Sequence, residues 1–146
     1  MTNYHILRVI SKLLIPFIFL FALYVQFHGD YGPGGGFQAG VIFASGIVLY
    51  TLIFGLKRAQ SVVPLRVVEV LFSFGVMLYA SVGIAGILKG GQFLEYGVLA
   101  HDPVHGQHMG ILVIELGVGI TVTAVVIAIF FAFVGRSSFG KLYQCN

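Results

Sequence analysis

Four stretches of this sequence are long and apolar enough to cross a lipid bilayer, and no other feature restricts the fold as strongly. They are residues 6–27, 37–56, 67–88 and 109–134. A bilayer core about 30 Å thick needs about 20 apolar residues in helical form. Charged residues make up only 9% of the chain, against about 25% in ordinary soluble domains. The sequence therefore predicts a single-domain, all-α membrane protein with four transmembrane helices.

The basic residues predict how these spans are oriented. The loop at residues 89–108 contains a single Lys or Arg, Lys89. The other basic residues fall on the opposite side of the spans: Arg8, Lys12, Lys57, Arg58, Arg66, Arg136 and Lys141. Short loops rich in Lys and Arg stay on the cytoplasmic side of a membrane. We therefore expect both termini to be cytoplasmic and residues 89–108 to form an external loop.

Several classes of function do not fit the residues. The basic side chains are scattered and form no patch with interleaved aromatic rings, so nucleic acid is not an expected partner. We find no nucleophile beside a general base, no pair of carboxylates in a soluble region, and no cofactor motif in a fitting context. The single cysteine, Cys145, cannot form a disulfide within the chain. The sequence predicts neither an enzyme nor a bound cofactor.

The most distinctive segment is PGGGFQAG, at residues 33–40. Its glycines match a dinucleotide-binding fingerprint in form, but that fingerprint requires a strand before it and a βαβ unit around it. Pro and Gly both disfavour a helix interior. We therefore expect Pro33, Gly34 and Gly35 to form a turn, and the second span to start near Gly36. An alternative role is contact with an anion or a partner's carboxylate at the free amides of this helix N-terminus.

Small residues line the faces of more than one predicted helix. Gly36, Gly40 and Ala44 repeat at every fourth position of the second span, and Gly117 and Gly119 lie in the fourth. Such stripes let helices approach closely in membranes. A four-helix chain does not need so many thin faces for itself, so we expect packing against further subunits.

Few ionisable residues lie within or beside the spans. Glu115 lies inside the fourth span, and we expect it to contact a cation or proton path or a basic group of a neighbouring subunit. The alternative is a carboxylate that reaches the membrane surface or bonds to a small-residue helix. Glu69 follows Arg66 at a spacing that favours an interfacial ion pair, with contact to another subunit as the alternative. His28 and Asp30 follow the first span and are candidates for an ion entrance.

Three histidines in the external loop suggest a metal site at first sight, because His and carboxylate are common zinc ligands. They are His101, His105 and His108, with Asp102 among them. However, Asp102 followed by Pro103 is typical of a helix N-cap and first helical position. We favour an ordinary helix start without a metal, and a pH-responsive loop is the other alternative.

Three segments, taken in order, resemble the small MrpB-type component of the Mrp-type multisubunit Na+/H+ antiporter. They are PGGGFQAGVI at residues 33–42, GGQFL at 90–94 and IELGVG at 114–119. The resemblance covers nearly the whole chain, and PGGGF is its most specific part. It implies an accessory subunit of a monovalent cation/proton antiporter in the cell membrane. Large subunits similar to those of respiratory complex I and other small membrane subunits would be its partners, and the complex would transport Na+ and H+.

The resemblance leaves other assignments open. Similar small subunits occur in membrane-bound hydrogenases and related redox-linked ion pumps, and a subunit of this kind can be purely structural. An independent homo-oligomeric channel is a further alternative. The residues that we expect to serve subunit packing are Pro33, Gly34, Gly35, Gly36, Phe37, Gly40, Ala44, Gly117 and Gly119.

Overall fold

The computed structural model describes the backbone of residues 4–29 and 32–143, and the side chains of residues 5–29 and 32–136. Within those ranges the chain forms helices and no strands. The helices are α1 Tyr4–Phe27, α2 Gly36–Phe54, α3 Leu56–Val62, α4 Leu65–Leu88 and α5 Pro103–Tyr143, with a 3-10 turn at Tyr96–Val98. Four of them are long and apolar enough to cross a membrane: α1, α2, α4 and α5. The predicted all-α fold with four spans is confirmed.

The helix ends differ from the predicted spans where a local residue decides them. The second span was expected to reach residue 56, but α2 ends at Phe54 because Gly55 has a φ of 88° and redirects the chain into the short α3. The fourth span was expected at 109–134, whereas α5 starts at Pro103 and continues past both of those limits. The loop before α5 therefore covers only residues 89–102. Hydropathy marks the part of a helix that suits lipid, and a helix continues beyond it where its ends are capped.

The spans form a row. Helix α1 packs against α2, α2 packs against α5, and α5 packs against α4. We call the end of the bundle with connections 28–35 and 89–102 the loop end, and the opposite end, which carries α3, the terminal end. Towards the terminal end, side chains of α2, α3, α4 and α5 form one buried apolar cluster: Ala44, Ala59, Val68, Ala124, Ile127 and Phe131.

Glycines bring the central helices into close contact. A Cβ built on Gly40 would lie 2.7 Å from the carbonyl oxygen of Gly119, and one built on Gly75 would lie 2.8 Å from that of Gly117. A Cβ on Gly36 would overlap the carbonyl oxygen of Glu115. Helix α5 therefore lies against the backbones of both α2 and α4.

This packing changes the expected role of the small-residue stripes. Gly36, Gly40, Ala44, Gly117 and Gly119 were expected to serve contacts with further subunits, but the structure buries all of them between helices of this chain. The physical reason is that α5 has thin faces on two sides and accepts one neighbour on each. Contacts to other subunits are left to the exposed surfaces.

Helix α1 lies at the edge of the row and is the most exposed span. Its buried side chains are those of Ser11, Ala22, Val25 and Gln26. Large apolar residues such as Leu13, Phe17 and Leu20 are each more than half exposed. In a membrane protein such a surface faces lipid or another membrane chain.

Candidate functional site

The glycine-rich connection between α1 and α2 folds back onto the end of α1. The amide of Gly35 donates a hydrogen bond to the carbonyl of Val25 (3.2 Å), and the amide of Gly32 donates one to that of His28 (3.1 Å). Gly35 has a φ of 116°, in the region that favours glycine. The prediction that Pro33, Gly34 and Gly35 form a turn and that the helix starts at Gly36 is confirmed.

The side chain of Glu115 points into this connection. A Cβ built on Gly29 would lie 2.7 Å from both carboxylate oxygens, and one built on Gly35 would lie 3.1 Å from Oε1. The absence of side chains on these two residues therefore makes room for the carboxylate. Glu115 is half-buried there. Two features that the sequence treated separately, the glycine segment and the acid of the fourth span, form one site.

The carboxylate also lies beside the start of α2, whose N-cap residue is Gly35. The first amides of a helix have no partners within it, and the helix dipole places partial positive charge at this end. Both effects stabilise a negative group. The acid that the sequence expected a partner to supply thus comes from Glu115 of the same chain.

Gln26 and Thr123 lie one helical turn further into the bundle, and neither was predicted from the sequence as a site residue. The side chain of Gln26 is only 7% exposed, and its Oε1 lies 2.7 Å from the position of a Cβ on Gly119. The hydroxyl of Thr123 is within 2.7 Å of the carbonyl oxygen of Gly119 and 3.1 Å of that of Gly40. An amide side chain within an apolar span was the signal that could have identified Gln26.

The structure places the other ion-path candidates differently. His28 follows the last residue of α1, and its ring stacks on that of Tyr24 with centroids 5.0 Å apart. Asp30 lies outside the described residues. Glu69 is exposed near the start of α4, at the terminal end, so it does not join Glu115. Arg66 and Glu69 both belong to the described ranges, and the structure records no ion pair between them.

The connection between α4 and α5 is held by its own polar contacts. The carboxylate of Asp102 accepts a hydrogen bond from the amide of Val104 (3.2 Å), so the predicted helix start is observed. The Lys89 ammonium donates to the carbonyl of Leu99, and the Glu95 carboxylate accepts from the amide of Gln92 (2.7 Å). In the side chains that the structure describes, no three His, Cys, Asp or Glu groups converge as metal ligands.

The GGQFL segment returns onto the outer turns of α4. Gly90 and Leu94 both have positive φ, at 87° and 66°. This path brings the ring of Phe93 against Gly83, where a Cβ would overlap it. The segment therefore covers a glycine face of α4 that would otherwise be open.

Comparison with known proteins fits this architecture. A family profile described as a domain related to the MnhB subunit of Na+/H+ antiporter matches residues 6–128. An antiporter subunit mnhB2 of Staphylococcus haemolyticus (strain JCSC1435) is 31% identical over 136 residues, covering 91% of this chain and 96% of the relative. Antiporter subunits mnhB2 of Staphylococcus aureus strains Newman and JH1 are 30% identical over the same length. This chain therefore belongs to the family of domains related to the MnhB subunit of Na+/H+ antiporters.

Proposed function

We propose that this chain is an accessory subunit of a multisubunit Na+/H+ antiporter in the cell membrane, and that Glu115 contributes to the ion path of that complex. The observation that carries the first part is the match along 91% of the chain to relatives that are named antiporter subunits. The chain is a transporter component on this reading, and the larger subunits of the complex perform the exchange.

The geometry at the loop end supports the second part. The Glu115 carboxylate lies against Gly29 and Gly35, which carry no side chains to cover it. An acid at membrane depth is costly unless it is paired or hydrated, and such residues commonly mark ion pathways. The start of α2 favours its charged form. A carboxylate held charged at the mouth of a bundle attracts monovalent cations from the adjoining solution.

Two residues of the PGGGF segment are proposed to contact another subunit. Phe37 is 64% exposed in the first turn of α2, and Pro33 is exposed in the turn before it. Neither packs into the interior of this chain, in contrast to the buried Gly36 and Gly40. Exposed apolar groups beside an ion site are suited to holding that site against a neighbouring chain.

Replacement of Glu115 tests the ion-path role. We expect Glu115→Gln to remove most Na+-driven proton exchange in everted membrane vesicles, because the neutral amide keeps the shape and loses the charge. Glu115→Asp should retain part of the activity. Glu95→Gln, which changes an exposed acid of the other connection, is the matched control and should exchange ions at the wild-type rate. Native gel electrophoresis of the same membranes reports whether the complex assembles.

A purely structural role is the second candidate, and one observation favours it. The carboxylate contacts two glycines of its own chain beside the start of α2, an arrangement that also fixes the α1–α2 connection. On that reading Glu115→Gln would weaken assembly and exchange together, in proportion. Wild-type exchange with an intact Glu115→Gln complex would remove the ion-path role and leave the subunit assignment standing.

Purification from native membranes in mild detergent tests the subunit assignment itself. The chain should migrate with larger antiporter subunits. A particle that contains only copies of this chain would support an independent channel instead. Co-purification with redox subunits would place the chain in a hydrogenase-type or related redox-linked complex.

A further inference from the structure

A cavity of about 280 Å³ lies between α1, α2, α4 and α5, next to the Glu115 site. Leu23 of α1 and Leu71 of α4 contribute to its apolar wall, and its polar side chains are Gln26 and Thr123. Gly119, which also lines it, follows Glu115 by four residues, or about one turn of helix. The cavity therefore lies one turn further into the bundle than the carboxylate.

Gln26 gives this cavity its chemical character. Its side chain is 7% exposed. Within the described ranges the amide forms no hydrogen bond, although its oxygen is held against Gly119. A buried amide loses free energy unless its donors and acceptor are satisfied. The group that occupies the cavity must therefore be able to both donate and accept hydrogen bonds.

Thr123 adds a second acceptor. Its hydroxyl proton is directed to the carbonyl oxygens of Gly119 and Gly40. A hydroxyl has one proton and two lone pairs, so the oxygen of Thr123 can still accept a hydrogen bond from an occupant. An acyl chain of a lipid offers no hydrogen-bonding atom to either Gln26 or Thr123.

We propose that this cavity binds water, and that the aqueous region at Glu115 extends inward by one helical turn to Gln26 and Thr123. Water can donate to the oxygens of both residues and accept from the Gln26 amide. The volume holds several molecules, since one occupies about 30 Å³ in the liquid. The glycines beside Glu115 provide access, because the nearby connection presents backbone rather than side chains. This inference goes beyond the proposed function and does not depend on which ion the complex exchanges.

Thiol labelling tests the proposal in the whole complex. Cys145→Ser removes the only cysteine of the chain, and Thr123→Cys then places a thiol in the cavity wall. Phe21→Cys is the matched control, because Phe21 is 55% exposed on the outside of α1 and lies about one turn inward from Gln26. With the complex in lipid nanodiscs, we expect a small cationic methanethiosulfonate reagent to label Thr123→Cys at least about tenfold faster, because only a hydrated thiol ionises readily.

A change at Gln26 links the labelling to the amide. Adding Gln26→Leu should reduce the labelling of Thr123→Cys to the rate of the Phe21→Cys control, whereas Gln26→Asn, which keeps an amide, should preserve it. Equal labelling of Thr123→Cys and Phe21→Cys in an assembled complex would overturn the proposal. It would indicate that an acyl chain or a side chain of another subunit fills the cavity.

A measurement on the unsubstituted complex covers the case in which these variants fail to assemble. X-ray radiolysis converts bound water to hydroxyl radicals, which oxidise adjacent side chains. We expect Phe43, which lines the cavity, to be oxidised faster than Phe21. Slower oxidation of Phe43 would contradict a hydrated cavity, whatever the antiport activity of the complex.

Discussion

Gly29 and Glu115 show, at the scale of single residues, how a missing side chain determines the position of a charge. Gly29 does not adopt a positive φ, so its backbone would accept alanine without strain. The added methyl group would nevertheless lie 2.7 Å from both carboxylate oxygens of Glu115. Steric displacement of the carboxylate is therefore the direct effect of this substitution.

We predict that Gly29→Ala reduces Na+-driven proton exchange while the complex still assembles. The reason is that the carboxylate must leave its position at the start of α2, where the helix dipole stabilises its charge. Gly97→Ala is the control, because its Cβ would meet nothing closer than 3.9 Å, at Pro103. Exchange assays on everted vesicles measure both variants. Full activity of Gly29→Ala would show that the exact position of the carboxylate is unimportant for exchange.

Helix contacts govern stability at the scale of the elements, and two glycines with opposite surroundings separate packing from helix propensity. A Cβ on Gly75 of α4 would overlap the Thr121 hydroxyl and lie 2.8 Å from the carbonyl oxygen of Gly117. A Cβ on Gly135 of α5 would lie 4.0 Å from the nearest atom, in Leu56. Both positions are helical, so alanine improves the intrinsic helix propensity of each by about 1 kcal/mol.

We predict that Gly75→Ala lowers the thermal unfolding temperature of the complex and that Gly135→Ala preserves or raises it. Forcing a methyl group into a packed contact costs about 1–3 kcal/mol, which exceeds the gain in propensity only at Gly75. Thermal scans in detergent, with aggregation as the readout, compare the two variants. Equal unfolding temperatures would mean that α4 and α5 separate without cost.

The same contacts show how much of this molecule its sequence predicts. Lipid requires long apolar segments, so hydropathy identifies the four spans. It does not determine that the carboxylate of Asp102 starts α5 outside the apolar region, or that Gly55 ends α2 early. These ends depend on individual backbone and capping interactions.

The candidate site was predictable only in parts. Glu115 stands out as an acid inside a span, and the glycines before Gly36 stand out as a turn. Which helix approaches the stripe of Gly36 and Gly40 is a property of the tertiary arrangement, because many helices could fit such a surface. Gln26 lies next to the end of its span, where a polar residue is unremarkable until Gly119 is seen against it.

The charge distribution of the whole molecule leads to a prediction about its orientation. Seven of the eight Lys and Arg residues of the sequence are at the terminal end, in the first half of α1, in α3, at the start of α4 and late in α5. The Lys12 ammonium lies 5.7 Å from the centroid of the Phe54 ring, towards that end of α2. Clusters of this kind stay on the cytoplasmic side during membrane insertion.

We therefore predict that the terminal end is cytoplasmic and that the Glu115 site faces the external solution. Alkaline phosphatase, which needs disulfides and folds only outside the cytoplasm, should be active when inserted after Gly97 and inactive when fused after Asn146. Green fluorescent protein fused after Asn146 should fluoresce. Since charge is the proposed cause, replacing Lys57, Arg58 and Arg66 by Gln should produce a mixture of orientations, whereas three Gln substitutions of exposed apolar residues should not. Phosphatase activity at Asn146 in the unaltered chain would place the carboxylate on the cytoplasmic side and reverse the direction from which ions reach it.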